Sequence, residues 1–400
     1  NSLNIYMQKG KVLRFCHKYL VSNDGYDLDI QDICKSTSDL YENYVITFVK
    51  GSTESYVKKN NLKKKGFFFY HKGTKSYIYP IKLISKHENY VKDLYMWKNI
   101  KNFQVGLKRC KNNINPSIIH IHGTLIPQFF YAAIEFRKKH VISTHHIGLI
   151  NQNYHRQKLY ILFFKFLIHN IFPFINDRII CNSRYGKKSF LFKRNISVIN
   201  PIPPRKKSSK KDIAHILKSN LIQNNFSINR KDNIFLMVGR ISKQKNQLSC
   251  IKAFNKSLEI NPNMKLILVG EVYDNIYFKK ILEEIKKNLN NYFLIDSLEN
   301  DYIEGLIEFS DFILTPTFNE GFGRLAMESI MRSKPVIASK NNGYSEFLDE
   351  SNSILVDPDS VKEISYAIIN IKYKNIKINM NHKKYIQEII DIYRGGKNES

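Results

Sequence analysis

The sequence predicts an α/β protein built from two doubly wound parallel-sheet domains. Three observations carry this. Short apolar runs alternate with helical patterns in both halves of the chain, and that alternation is the signature of a parallel sheet covered on both faces. A length of 400 residues with 43% hydrophobic residues suits more than one core. A break in composition, Pro201-Ile202-Pro203-Pro204-Arg205-Lys206-Lys207-Ser208-Ser209-Lys210-Lys211, divides the halves. The expected organisation is a first domain over 1–200, a linker over 201–230, a second domain over 231–375, and a C-terminal helix over 376–400 that packs back on the first domain.

In the first half, the candidate strands are Lys11–Phe15, Tyr44–Phe48, Ser117–Ile121, Val141–Thr144, Arg178–Cys181 and Val198–Ile199. A polar turn, Ser22-Asn23-Asp24-Gly25, follows the first of them. The lysine- and aromatic-rich segment Tyr56–Tyr79 fits neither period and is left unplaced. In the second half, strands are expected at Ile234–Val238, Lys265–Val269, Tyr292–Ile295, Phe312–Leu314, Pro335–Ala338 and Ser353–Val356. Helices are expected near 246–259, 276–289, 301–309, 324–333 and 361–370. In such folds ligands bind beyond the carboxyl ends of the strands, and the polar clusters of this chain fall there. The expectation is therefore an enzyme with a cleft between its domains.

The net charge is +28, and it is uneven. Residues 1–200 hold 33 Lys and Arg against 11 Asp and Glu, a net +22, whereas residues 201–400 hold 30 against 24, a net +6. The first half is thus expected to meet something anionic: an acidic membrane surface, a phosphate-bearing acceptor or nucleic acid. AT-rich coding, which raises Lys, Asn and Ile together, accounts for part of the excess. Cys16, Cys34, Cys110, Cys181 and Cys250 form no close pair, which argues against a disulfide framework or zinc site and for a reducing compartment. No signal peptide is visible in this stretch. The most apolar segment, Leu159–Ile175, is interrupted by Lys165, His169, Asn170 and Pro173. It is too short and polar to span a bilayer, and is expected to be a helix of the first domain.

The most informative run is Pro316-Thr317-Phe318-Asn319-Glu320-Gly321-Phe322-Gly323-Arg324-Leu325-Ala326-Met327-Glu328. An apolar strand precedes it and a helix follows. Gly321 and Gly323 sit where strand becomes helix, and the free backbone N–H groups there suit a diphosphate. Glu320 stands at the mouth of the turn, with Glu328 two helical turns further on roughly the same face. Carboxylates beside an anion site are suited to gripping sugar hydroxyls. The bland reading is a tight turn with two surface glutamates.

A second cluster, Gly239-Arg240-Ile241-Ser242-Lys243-Gln244-Lys245-Asn246, follows a strand and opens a helix. Arg240 and Lys245 are placed to converge on one diphosphate, the first as a fork and the second as a point charge. Ser242 is the candidate N-cap. His122 and Gly123 end an apolar strand; a histidine there can move a proton or bond a substrate oxygen. His120, two residues deeper, reads as structural. His145 and His146 end another strand, but no carboxylate-rich motif accompanies them, so no metal site is expected. Asp357-Pro358-Asp359 reads as a turn and cap.

Taken together, these residues resemble a retaining glycosyltransferase of family 4, with the GT-B fold of two Rossmann-like domains facing a central cleft. The resemblance is strongest from Phe235 to Asp357. It rests on Val238-Gly239-Arg240 with Lys245-Asn246, Leu268-Val269-Gly270, Pro316 to Glu328, Lys334-Pro335-Val336-Ile337-Ala338, and Gly343-Tyr344-Ser345-Glu346. The first half matches more loosely, through Asp24-Gly25, His120-Ile121-His122, Val141–His145, Asn182-Ser183 and Asn200-Pro201. Two departures stand out. Ser333 replaces a small glycine before Lys-Pro, and Tyr344 replaces the second glycine of a Gly-Gly-x-x-Glu pattern, which would narrow the site near the diphosphate.

The resemblance implies transfer of a sugar from a nucleotide-diphosphate donor, a UDP-sugar first among them, to a hydroxyl of a glycan or lipid-linked acceptor, with retained anomeric configuration. The setting implied is bacterial surface-polysaccharide assembly, at a cytoplasmic or peripheral cytoplasmic-face location. Catalysis would fall to Glu320, His122, Arg240 and Lys245. Donor binding would fall to Gly239, Arg240, Lys245, Glu320, Gly321, Phe322, Gly323, Arg324 and Glu328. Asp24, Gly25, His122 and His145 would line the acceptor side. Neither a metal nor another cofactor is expected, because side chains supply the cations; nucleic acid is not an expected partner. Two other readings stay open: a nucleotide-sugar epimerase or hydrolase of the same fold, and a non-enzymatic protein binding nucleic acid or membrane through its charge.

Overall fold

A computed structural model describes residues 9–21, 25–85, 93–94, 96–123, 126–146, 166, 170–171, 173–204, 216, 228–229, 231–340, 342–373, 376 and 380–395. The chain divides into two compact units, Asn1–Pro201 with Asn381–Ser400, and Ile202–Met380.

The first unit is built on a nine-stranded sheet. Its strands are β1 (Gly10–Cys16), β2 (Tyr41–Lys50), β3 (Lys63–Lys65), β4 (Phe68–His71), β5 (Ser76–Leu83), β6 (Ile118–His122), β7 (His140–His145), β8 (Arg178–Cys181) and β9 (Ile196–Val198). Their order is β3-β4-β5-β2-β1-β6-β7-β8-β9. The pairs from β5 through β9 are parallel, while β3, β4 and β5 meet antiparallel. The antiparallel edge is the Tyr56–Tyr79 segment that periodicity could not place. Its first strand is three exposed lysines; its turn is made by Gly66 at φ +59°. Charges on an edge strand discourage pairing with another chain, and they erase the alternation a sequence reading looks for.

One face of this sheet buries Phe15, Phe48, Phe103, Phe129 and Phe136 with aliphatic neighbours. The other packs Cys16, Tyr19, Ile30, Cys34, Val45 and Ile78. The central parallel strands are thus covered on both faces, as such a sheet requires. Helix His382–Tyr393 belongs to this unit. Its Tyr385 hydroxyl donates to Asp29 at 2.7 Å, and Tyr393 reaches the centre of the sheet.

The second unit holds a six-stranded, all-parallel sheet in the order β12-β11-β10-β13-β14-β15. The strands are β10 (Asn233–Val238), β11 (Met264–Val269), β12 (Tyr292–Ile295), β13 (Phe312–Thr315), β14 (Val336–Ser339) and β15 (Ser353–Val356). Each lies within two residues of its expected bounds, because continuous runs such as Ile-Phe-Leu-Met-Val mark a strand buried on both faces. Helices Gln247–Leu258, Asn275–Ile285, Asn300–Phe309, Arg324–Ile330 and Val361–Asn370 connect or flank them. Capping is local and legible: Asp274 accepts from the Tyr277 N–H, and Ser360 from the Glu363 N–H. Such caps are worth about 1 kcal/mol each.

Both sheets reverse direction of strand order beside their first strand. In the first unit β1 lies between β2 and β6; in the second, β10 lies between β11 and β13. These are topological switch points, where the loops leaving adjacent strands diverge and open a crevice. Of the helix expected over Leu159–Ile175, the described residues 166, 170–171 and 173–175 are helical; the rest of it, residues 22–24 of the predicted turn and most of the proposed linker lie outside the described residues.

Candidate functional site

In the second unit, the switch point is where the predicted donor residues converge. β10 ends at Val238, and Gly239 and Arg240 leave it. A 3-10 turn, Lys243–Lys245, then precedes helix Gln247–Leu258. β13 ends at Thr315 and leads through Asn319, Glu320 and Gly321 to helix Arg324–Ile330. The two loops are stitched together. Phe318 N–H donates to Gln244 O at 3.0 Å, and Gln244 Nε2 donates to Asn319 O at 3.1 Å. Asn246 Nδ2 donates to Pro316 O at 3.1 Å and to Pro358 O at 2.7 Å. Asn246 can do this because it takes the left-handed conformation, φ 61°, which asparagine tolerates.

This frame brings Lys245 Nζ to 2.8 Å from Glu320 Oε2, with the two side chains 24% and 20% exposed. They are sheltered yet reachable by a ligand. Arg240 lays its guanidinium over the Tyr273 ring at 5.4 Å, an attraction between cation and ring face. Glu328 is buried, and its Oε1 accepts from Arg324 Nε at 2.8 Å, one helical turn back. Ser242 sits at the N-cap position of the 3-10 turn without a side-chain cap bond; its N–H instead donates to Gln247 Oε1 at 3.3 Å. Asp357 makes the turn that was expected, accepting from the Asp359 N–H at 3.0 Å, but the cap of the following helix is Ser360.

Gly323 in the run and Gly343 beyond it are sterically required. Gly323 has φ +92°, and a Cβ there would lie 2.1 Å from the Tyr344 ring. Gly343 faces the backbone of Gly321, whose carbonyl oxygen would be 1.8 Å from a Cβ. Tyr344, the departure that promised a narrower site, is 1% exposed, and its hydroxyl bonds Thr315 Oγ1 at 2.9 Å. Its ring fills the floor under Gly323. Phe322 is buried against Phe347, with ring centroids 4.8 Å apart, so within the run it contributes packing.

The sequence assigned no role to Gln244, Asn246, Asn319 or Tyr273, although the first three lie within the quoted motifs; Tyr273 carried no local signal. Asn319 is buried with its Oδ1 lacking a partner among the described residues.

In the first unit, the switch point between β1 and β6 holds a buried polar cluster. Arg14 on β1 is fully buried and donates through Nε and Nη2 to Asn43 Oδ1 at 3.1 and 2.8 Å. Its Nη1 lies 2.7 Å from the Tyr393 hydroxyl, 3.0 Å from His120 Nδ1 and 3.4 Å from His122 Nε2. A guanidinium can only donate, so these ring nitrogens accept. The hydrogen-bond network therefore assigns the His120 proton to Nε2, which lies 2.6 Å from Thr144 Oγ1, and the His122 proton to Nδ1.

His120 and His122 stack with centroids 3.9 Å apart. Both are held well below the usual histidine range: His120 by burial and then Arg14, His122 by burial, His120 and Arg14. His122 thus stands as a neutral ring at the end of β6. Its Nδ1 is buried without a partner among the described residues. The Tyr26 hydroxyl donates to His122 O at 2.7 Å, and Gly123 turns the chain at φ +76°.

His145 ends β7, buried, with its ring edge-on to Phe190 at 4.7 Å. Gly25 is exposed and is the first residue of helix Gly25–Thr37; Ser22, Asn23 and Asp24 lie outside the described residues.

Residues 218–388 match the family model described as "Glycosyl transferases group 1". That stretch, under half of the chain, is similar to a group 1 glycosyl transferase domain. The stretch contains the whole donor set of the switch point, from Gly239 to Glu328. An uncharacterised glycosyltransferase of Methanocaldococcus jannaschii is 29% identical over 232 residues, 56% of this chain and 57% of its own length. A lipopolysaccharide 1,2-N-acetylglucosaminetransferase of Salmonella typhimurium is 30% identical over 122 residues, 29% of this chain and 32% of its own length. The chain therefore aligns with about half, or less, of these relatives.

Among solved structures, the Anabaena HepE protein in complex with UDP and glucose superposes with a TM-score of 0.71. The identity is 18%, covering 96% of this chain and 99% of that one. Sucrose-phosphate synthase from Thermosynechococcus elongatus gives 0.74 at 14% identity, covering 97% and 99%. These likenesses show a GT-B fold over nearly the full chain.

Proposed function

We propose that the protein transfers a sugar from a nucleotide-diphosphate donor, a UDP-sugar first, to a hydroxyl of a glycan or lipid-linked acceptor, with retained anomeric configuration. The observation that carries the reading is the Lys245–Glu320 pair at the switch point of the second unit. The nearby Arg240 is aimed by Tyr273. As the glycosidic bond breaks, negative charge grows on the leaving diphosphate and the sugar becomes oxocarbenium-like. Lys245 and Arg240 supply fixed positive charge to that diphosphate, and such preorganised groups are worth roughly 3–4 kcal/mol each. In this reading the diphosphate takes Lys245 from Glu320, and Glu320 then accepts from sugar hydroxyls.

Backbone N–H groups over Gly321–Gly323 complete the phosphate side, and Glu328, positioned by Arg324, takes the ribose hydroxyls. The neutral His122, with Gly25 and His145 in the same unit, serves the acceptor side. A diphosphate needs no protonation to leave, and the side-chain cations make a metal unnecessary. Surface-polysaccharide assembly is the proposed setting, supported by the Salmonella relative. A cytoplasmic-face location, peripheral to an anionic membrane, fits five buried cysteines, none of them in a disulfide, and the +22 charge of residues 1–200.

The test is a thermal-shift and turnover screen with UDP-, GDP- and ADP-sugars. One nucleotide sugar should raise the melting temperature in the wild type and not in Lys245→Ala. NMR of the product should show the donor's anomeric configuration kept. Flat melting curves for every donor, or sugar release without an acceptor, would sink the transferase reading.

A further inference from the structure

The first unit carries an apolar surface cluster that its fold does not use. Leu191 and Phe192 leave the chain between helix Arg184–Lys187 and β9, 65% and 50% exposed. Phe174 is 58% exposed, and its ring meets Phe192 edge-on at 5.2 Å. The two segments are tied from beneath: Leu191 N–H donates to the buried Asn170 Oδ1 at 3.3 Å, and Asn170 Nδ2 donates to Phe166 O at 2.8 Å. Phe190, by contrast, turns inward and is 2% exposed. The outward residues are therefore held outward by a built frame.

Cations flank Leu191 and Phe192 in the sequence. From Phe174 to Asn200 the sequence has six Lys and Arg and one acidic residue, Asp177, which lies 3.2 Å from His140. Lys188, Lys193 and Arg194 are exposed and Lys187 is half-buried. None of these four joins an ion pair among the described residues. Solvent-facing phenylalanine and leucine are costly in water; phenylalanine set among lysines suits the headgroup boundary of an anionic bilayer, where rings enter the acyl edge and cations meet lipid phosphates. A second copy of the chain fits poorly, because a two-fold contact would bring like charges together.

We infer that Phe174, Leu191 and Phe192, flanked by Lys187, Lys188, Lys193 and Arg194, form a docking surface for an anionic lipid bilayer. This deepens the membrane part of the proposed function and rests on it. The surface holds the enzyme beside a lipid-linked acceptor. It works in two parts: charge attracts over about a Debye length of 8 Å at physiological salt, and ring insertion supplies the residence.

The experiment is co-sedimentation of the full chain with vesicles of phosphatidylcholine alone and of phosphatidylcholine with phosphatidylglycerol, at low and high salt. The wild type should sediment with the phosphatidylglycerol vesicles and lose binding at high salt. Phe174→Ser with Phe192→Ser should weaken binding about tenfold or more. Lys193→Gln with Arg194→Gln should weaken it about fivefold for each charge removed. The donor-induced melting shift should survive in both variants, which separates a failed docking surface from a failed transferase reading. Wild type that ignores phosphatidylglycerol, a phenylalanine variant that binds normally, or a concentration-dependent dimer in sedimentation velocity that the phenylalanine variant abolishes would each overturn the assignment. The charge variant keeps the test open should the phenylalanine variant fold poorly.

Discussion

Lys245 and Glu320, 75 residues apart in sequence, meet at 2.8 Å because β10 and β13 are neighbours in the second sheet. Without donor, each satisfies the other. A ligand that brings its own negative charge to Lys245 therefore releases Glu320, and the two substitutions should act differently.

Lys245→Ala should lower kcat/KM by about a hundredfold to a thousandfold, by loss of a preorganised charge. It should also abolish the melting shift given by the nucleoside diphosphate alone. Glu320→Gln should keep or tighten diphosphate binding, since Lys245 is then unclaimed, while turnover collapses. Calorimetric titration with UDP beside steady-state rates separates the two. Equal loss of UDP binding in both variants would contradict this division.

Gly323→Ala should destabilise the second unit by about 2–4 kcal/mol, through left-handed strain and a clash with the Tyr344 ring. In a double-mutant cycle, Tyr344→Ala should remove the clash part and leave the strain part. Urea unfolding of the four proteins measures the coupling. Additive losses would show that ring and glycine do not compete for the same space.

Removing the Tyr393 hydroxyl by Tyr393→Phe should cost about 1–3 kcal/mol, because buried Arg14 loses an acceptor at 2.7 Å. Burial also pushes the Tyr393 phenol up to about 12, so the hydroxyl is uncharged and acts as a neutral relay between Arg14 and His120. Chemical denaturation of the variant gives the value, and an unchanged midpoint would mean that water takes over the role.

His120 and His122 have folded pKa values depressed below their unfolded value near 6.5, chiefly by burial and reinforced by Arg14 and, in each case, His146. Below about pH 6.5 the unfolded chain binds protons that the folded chain refuses. Stability is thus full above that pH and falls as pH drops, with a limiting slope of about 1.4 kcal/mol per pH unit for each histidine. Urea midpoints from pH 7.5 to 5.5 should show the fall, and His120→Asn should flatten it by about one proton. A pH-independent midpoint over that window would be incompatible with buried neutral rings.

The strands of the second unit could be read from sequence because each is a continuous apolar run closed by a polar turn. The Gly321–Gly323 turn was legible for the same reason. The β3–β5 edge was not, because lysines on an exposed strand and aromatics at irregular spacing leave no period of two. The buried Arg14 cluster was hidden for a different reason. A basic residue inside the run Lys11–Phe15 looks like any surface charge until its acceptors are known.

By itself the sequence determined the parallel α/β class, the strand ends where polar residues gather, and the glycine positions where the backbone must turn tightly. These follow from local rules: burial on both faces, turn chemistry and the cost of a Cβ at positive φ. Tertiary structure alone decided which polar ends meet. Strand order puts Lys245 against Glu320, Arg14 between His120, His122 and Tyr393, and Phe174 against Phe192. The physical reason is that pairing between strands and helices distant in sequence is fixed by the packing of the whole sheet, to which no single segment holds the key.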